Sequence, residues 1–308
     1  MRKALTIILL GFHLLSHAQE RFQVEMFCGA EMNFVEMNWH NFYDMYLRLT
    51  PGMKFHLGHR WMLAGQVHVP LINKGYVDRY SMFRLSNATL SKELHFPDAH
   101  QYFKLSAGLF SKDRCGFDLR WMVPITDWWM LSAQAGVTNY WALGYKPGGL
   151  KENEFCSDNW LFTGMLNTHF LIKPWNMEIR MNGGRYIDGL MGAELDVMGH
   201  YRHVSFVAYA RLHEPVNDRF QDHVITGAIT AGEGRRQSGG FKIIVMLPPY
   251  KKSKRTFVVR PASNIRLIYN AQMDEKTMMM YETDPEENER VYPVAVPWGL
   301  STQQPAEK

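Results

Sequence analysis

Phe22-Gln23-Val24-Glu25-Met26-Phe27-Cys28-Gly29-Ala30-Glu31-Met32-Asn33-Phe34 decides how this chain is read. Phe22, Val24, Met26, Cys28, Ala30, Met32 and Phe34 are apolar. Gln23, Glu25, Gly29, Glu31 and Asn33 lie between them, with Phe27 the one apolar residue out of step. A period of two marks a strand, because successive side chains leave a pleated backbone on opposite faces. The stretch has thirteen residues, long for a strand of a globular protein, where about 5–6 is usual. It suits a tilted strand crossing a bilayer, which needs roughly 9–11 residues.

The same rhythm recurs along the chain. Phe103, Leu105, Ala107 and Leu109 alternate with Lys104, Ser106 and Gly108. Cys115, Phe117, Leu119, Trp121 and Val123 alternate with Gly116, Asp118, Arg120 and Met122. Further runs extend from Trp175 to Met181, Met191 to Val197, Val204 to Leu212 and Ile265 to Tyr269. Turn residues separate them: Gly58-His59-Arg60, Lys112-Asp113-Arg114, Thr126-Asp127, Lys173-Pro174, Asp188-Gly189, Gly199-His200 and Ser238-Gly239. Strands at ~10-residue spacing with short turns describe an all-β, antiparallel up-and-down meander. Roughly 12 to 16 strands are expected between residues 20 and 271, and even numbers are usual for bacterial barrels.

The N-terminus reads as a secretory signal peptide. Arg2 and Lys3 are followed by an apolar run from Ala4 to Phe12, and Ser16-His17-Ala18 places small residues where a signal peptidase cuts. That run is too short for a membrane-spanning helix, which takes ~20 residues, and no later run reaches that length. A mature chain that enters a membrane must then do so with strands, since only helices and closed barrels satisfy every backbone group in lipid. The expected division is a signal peptide over 1–18, an outer-membrane barrel over 19–271 and an extended or disordered tail over 272–308. Glu286, Glu287, Glu289, Pro293, Pro297 and Pro305 accumulate in that tail. Polar stretches at 144–159 and 214–222 read as long loops.

Composition narrows the partners. A formal charge of +4 over 308 residues, with no compact basic stripe, argues against nucleic acid. Alternating lipid-facing and lumen-facing side chains average to near-neutral hydropathy, and the mean hydropathy here is −0.28. Cys28, Cys115 and Cys156 are too few for a disulfide scaffold. A Cys115–Cys156 bridge and buried free thiols are both open.

A secreted, glycan-binding β-sandwich also alternates, with one face in its core and one wet. Its strands are shorter, and its wet face tends to Lys, Thr and Ser. Here Asp118 with Arg120, and Glu178 with Arg180, set acid and base two residues apart on one face. In a narrow lumen such charges pair and hold water, whereas on a sandwich surface they are worth about 0–1 kcal/mol. The barrel is the favoured reading. Its lumen-facing candidates are Glu25, Glu31, Asp118, Arg120, Glu178, Arg180, Glu194, Asp196, Arg211 and Arg266.

Catalytic signatures are missing from the sequence: there is no H-E-x-x-H, G-x-S-x-G or phosphate-binding loop. His200 and His203 have a ligand-like spacing, and His56 and His59 straddle a turn, but histidines at strand turns are more often solvated than metal-bound. Glu194 and Asp196 share a face, which suits a polar lumen as well as acid–base work. No enzyme activity, cofactor or metal is expected. Trp121, Trp128, Trp129, Tyr140, Trp141, Trp160 and Trp175 fall near expected strand ends. They fit the aromatic girdles of a membrane barrel, with sugar stacking at a pore mouth as the rival use.

The second half of the chain carries a resemblance. Asn159-Trp160-Leu161-Phe162-Thr163-Gly164 leads through Lys173-Pro174-Trp175-Asn176-Met177 to Gly184-Arg185-Tyr186-Ile187-Asp188-Gly189-Leu190-Met191-Gly192. This order is similar to the GRYLAGDWG region of the YjbH-like family of outer-membrane barrels, associated with exopolysaccharide and capsule secretion. Gly232-Glu233-Gly234 with Gly240-Phe241-Lys242-Ile243, and upstream Tyr102 to Leu109 followed by Gly116, resemble that family's neighbouring strands. With Leu63 to Leu71, the likeness runs over most of residues 40–271. It departs at Asp188, which falls earlier than the family's Asp, and at Leu190, which replaces a Trp. It also departs at the end, where Tyr269-Asn270 is followed by a tail, and the chain corresponds to a short form lacking the N-terminal part. The family-motif residues are Gly184, Arg185, Tyr186, Gly189 and Gly192. The resemblance implies a non-enzymatic role in polysaccharide export or assembly. Outer-membrane lipid, a polysaccharide chain and other secretion proteins are the implied partners. A general porin or structural outer-membrane protein is the competing expectation.

Overall fold

Long alternating segments become long strands. The computed structural model describes residues 23–37, 41–74, 81–110, 114–140, 144–145, 160–186, 191–201, 204–213, 236–245, 251–252 and 257–270. The strands are β1 (Gln23–Met37), β2 (Asn41–Gly58), β3 (Trp61–Lys74), β4 (Phe83–Phe96), β5 (Gln101–Phe110), β6 (Arg114–Thr126), β7 (Trp129–Tyr140) and β8 (Gly144–Tyr145). They continue with β9 (Leu161–Ile172), β10 (Met177–Arg185), β11 (Met191–Tyr201), β12 (Val204–His213), β13 (Arg236–Val245), β14 (Lys251–Lys252) and β15 (Phe257–Asn270). The only helical pieces among the described residues are three-residue 3-10 turns, and no helix is long and apolar enough to cross a membrane. The expected signal peptide, the tail, the 214–222 loop and most of 144–159 lie outside the described residues.

From β1 to β13 every long strand pairs antiparallel with the next, so the all-β, antiparallel, up-and-down architecture read from the period-two runs is the one observed. The two-residue strands β8 and β14 attach to β4 and β15. β15 then pairs antiparallel with β13 and parallel with β1, Gly29 to Val35 running beside Asn264 to Asn270. The hydrogen-bonded order therefore returns to its first strand.

This seam departs from the expectation of antiparallel joints throughout and an even strand number. Among the described residues, with β8 and β14 set aside, thirteen of the fifteen strands make up the ring of pairings. In a meander of odd number the first and last strands run the same way, so they can meet only in parallel.

Short connections hold the registers. Gly58, His59 and Arg60 all take positive φ at the β2–β3 turn, as the tight reversal requires. Ser238-Gly239, expected as a turn, lies inside β13 instead. Gly239 pairs with Ala210, and a Cβ there would press on the Tyr209 carbonyl, so the glycine serves close strand approach, not reversal.

The two faces are inverted relative to a water-soluble sheet. On β3, Met62, Ala64, Gln66 and His68 are buried while Trp61, Leu63 and Val67 are exposed. On β6 and β9 the contrast is larger: Asp118 is 3% exposed beside Phe117 at 66%, and Asn167 is 4% exposed beside Leu166 at 56%. Phe27, the residue out of step in β1, is buried on the polar face, and its ring lies over Gly52 directly across on β2. The missing side chain at Gly52 makes room for the ring, an aromatic–glycine pairing that pins register.

Candidate functional site

The buried face is the only concentration of polar chemistry among the described residues, and its members arrive by strand register. Glu25, Glu31, Asp118, Glu178, Glu194, Asp196 and Arg211 are buried there, and Arg120 and Arg180 are partly buried beside them. Nine of the ten lumen candidates therefore share one face. Arg266 is on β15, in register with Glu31 and Ile244, and its side chain lies outside the described ones.

Asp118, Arg120, Glu178 and Arg180 also find partners on the neighbouring strands. Cross-strand neighbours sit ~4.5–5.5 Å apart, whereas two residues along a strand rise ~6.6 Å, so the bonds form across the ladder. Gln134 donates to Asp118 (3.1 Å) and accepts from Arg120 (3.3 Å), relaying between them from β7. Glu178 meets His169 of β9 at 3.0 Å and His200 of β11 at 3.5 Å. Arg180 faces Asp196 of β11 at 3.8 Å.

The densest cluster spans β11 to β13. Arg211 donates to Glu194 through Nε at 3.0 Å and Nη2 at 2.7 Å. Lys242 reaches the other oxygen of Glu194 at 3.4 Å, and both cations lie over the Tyr209 ring. A second cluster binds β1 to β3: Arg48 donates to Glu31 (2.8 Å) and lies 2.8 Å from the His68 ring nitrogen, while Asn33 also donates to Glu31 (2.6 Å). Arg114 grips Thr138 by hydroxyl and carbonyl, tying β6 to β7.

Sequence reasoning missed His169, Gln134, Arg48 and Lys242 as members of this face. Polarity at an inward parity would have flagged each of them, once strand phase was known. His200, treated as a solvated turn residue, is on β11, contacts Glu178 and hydrogen-bonds Ser205 at 2.8 Å. His203 lies outside the described residues. His56 belongs to β2 and His59 to the turn after it, where its carbonyl accepts from Lys92. Among the described residues no group of three or more His, Cys, Asp or Glu is gathered for a metal ion. Cys28 and Cys115 are both thiols; Cys156 lies outside the described residues.

The aromatics fall mostly at strand ends. Trp128, Trp129 and Phe170 stack with centroids 6.0–6.4 Å apart beside the β6–β7 turn, and Trp129 donates to Thr168. Trp175 is in the β9–β10 turn and Trp160 just precedes β9, both exposed. Trp121 is the exception, inside β6. Trp141 lies outside the described residues.

The family-motif residues straddle one hairpin end. Gly184 and Arg185 close β10, Tyr186 follows fully buried with its hydroxyl on Asn182 (3.2 Å), and Gly192 pairs with Gly184. Gly189 lies outside the described residues. Comparison with protein-family models, curated proteins and solved structures finds no match to this chain.

Proposed function

We propose that this chain is an outer-membrane β-barrel with a non-enzymatic role in exporting or assembling an extracellular polysaccharide. The inverted faces carry the membrane part of the reading. Phe117, Phe162, Leu166, Phe206 and Phe241 point outward and exposed, while acids, bases and amides are buried. Leaving a Phe or Leu side chain in water forgoes roughly 1.5–3 kcal/mol, and acyl chains remove that cost around the whole ring. A secreted glycan-binding sandwich would need two packed sheets with apolar faces turned together, an arrangement the strand order does not support.

The polysaccharide part is supported by the resemblance to YjbH-like barrels and by the chemistry of the lining. Hydroxyls, amides and paired charges alternate there, side-chain types that exchange hydrogen bonds with a hydroxyl-rich chain. A general porin is the weaker reading. A water-filled channel leaves its lining accessible, and here Glu31, Lys54, Ser91 and Thr138 are buried.

Two experiments test the parts separately. Membrane fractionation with heat-modifiable gel mobility tests the barrel; recovery wholly in the soluble periplasm sinks it. Deletion of the gene followed by surface-polysaccharide staining tests the role, which fails if staining is unchanged.

A further inference from the structure

Two three-strand units of this sheet coincide residue for residue at a constant offset. Ala88 to Phe96 of β4 pairs with Gln101 to Leu109 of β5, and Gly164 to Ile172 of β9 pairs with Met177 to Arg185 of β10. Adding 76 to each number of the first set yields the second. The next joint obeys the same rule: Tyr102 with Met122 and Gly108 with Gly116 become Glu178 with Met198 and Gly184 with Gly192.

The irregular features coincide as well. Both hairpins turn through a 3-10 turn closed by a left-handed residue, His100 at φ 50° and Asn176 at φ 49°. Each closing N–H donates to the first residue of its turn, Pro97 or Lys173, at 3.1 Å. Gly108 and Gly184 take φ +138° and +145°. A Cβ on either would collide with a neighbouring carbonyl, that of Ala88 or Gly164, which are themselves equivalent positions. Two residues on, Phe110 and Tyr186 are both fully buried.

Any one of these is common in sheets. Their coincidence at one offset requires one frame. We infer that β4–β6 and β9–β11 are two copies of a single three-strand unit. Identity is confined to Leu85/Leu161, Leu90/Leu166, Gly108/Gly184, Gly116/Gly192, Leu119/Leu195 and Met122/Met198 over residues 85–122 and 161–198. Charge type persists at Lys104/Arg180 and Asp118/Glu194. It reverses at Arg120/Asp196, and Tyr102 is replaced by Glu178. Over these ranges both copies carry four acids but the second carries three Lys and Arg against five, and its acids Glu178 and Asp196 are met by His169, His200 and Arg180 within the copy. Arg211 and Lys242 from β12 and β13 meet Glu194. The frame is duplicated, and the lining has diverged on it.

Cross-linking tests the shared frame in the full-length chain carrying Cys28→Ala, Cys115→Ala and Cys156→Ala. Leu105→Cys with Leu119→Cys, and Met181→Cys with Leu195→Cys, are equivalent pairs on the exposed face. Directly opposed Cα atoms sit ~4.5–5.5 Å apart, within disulfide reach, whereas diagonal neighbours at ~7–8 Å are beyond it. Both in-register pairs should cross-link under mild oxidation. The diagonal pairs, Leu105→Cys with Phe117→Cys and Met181→Cys with Ala193→Cys, should not. As a second measurement, Gly108→Ala and Gly184→Ala should each lose the folded band on non-denaturing gels, while Gly183→Ala, where a Cβ meets only 3.7 Å contacts, should keep it. Cross-linking in one unit alone, or loss of folding at only one of the two equivalent glycines, overturns the inference.

Discussion

Leu166→Arg separates a lipid-facing wall from a wet one. Leu166 is the sixth of the twelve residues of β9 and is 56% exposed. Five rises of ~3.4 Å at a tilt of ~40° place it ~13 Å from the start of the strand, half of an apolar band ~25 Å tall. If this surface meets water, an exposed substitution shifts stability by no more than about 0.5 kcal/mol. At a bilayer midplane the same arginine costs about 2–4 kcal/mol, or roughly 30- to 700-fold in the folding equilibrium at 1.4 kcal/mol per decade. Phe162→Arg and Ile172→Arg, on the same face toward the two strand ends, should cost only ~0–1 kcal/mol. Reversible denaturant titration of the protein folded into phospholipid vesicles reads all three. A flat profile, with Leu166→Arg no worse than its flanks, refutes the inverted-face argument.

Other outcomes follow from the buried face and its glycines. Arg211→Ala removes the main partner of buried Glu194 and should cost about 3–5 kcal/mol. Adding Glu194→Leu to it should recover part of that loss in the same titration, and a double variant worse than the single refutes the pairing. Gly52→Ala drives a methyl into the Phe27 ring and should cost about 1–3 kcal/mol, with Phe27→Leu restoring part of it. Because the lining is packed, the purified protein in a planar bilayer should give no steady open-pore conductance; a sustained ohmic current would contradict the packing.

Much of the architecture was legible because alternation is a local property. Glu25, Glu31, Glu178 and Asp196 could be placed on one face by parity alone, since each strand's burial repeats every two residues. Cross-strand pairing was not legible. Glu178 bonds His169 and His200 on the two neighbouring strands, partners that no spacing along its own strand indicates, because they are chosen by register between strands. Gly239 resembled a turn residue and proved to be a close-approach residue, since a glycine carries no local sign of which it is. The two three-strand units were hidden for a related reason: what they share is turn geometry and glycine conformation, and few side chains report either.

By itself the amino-acid sequence determined the class of structure: long strands, an apolar face, a polar face and short reversals, all of which arise from nearest-neighbour chemistry. Tertiary structure alone decided the rest. The odd number of ring strands among the described residues goes with a parallel β1–β15 joint, because strand direction at the seam depends on how many reversals precede it. Burial decided that the polar face is the enclosed one. Period two states only that two faces differ, and which of them is enclosed depends on which way the sheet curves.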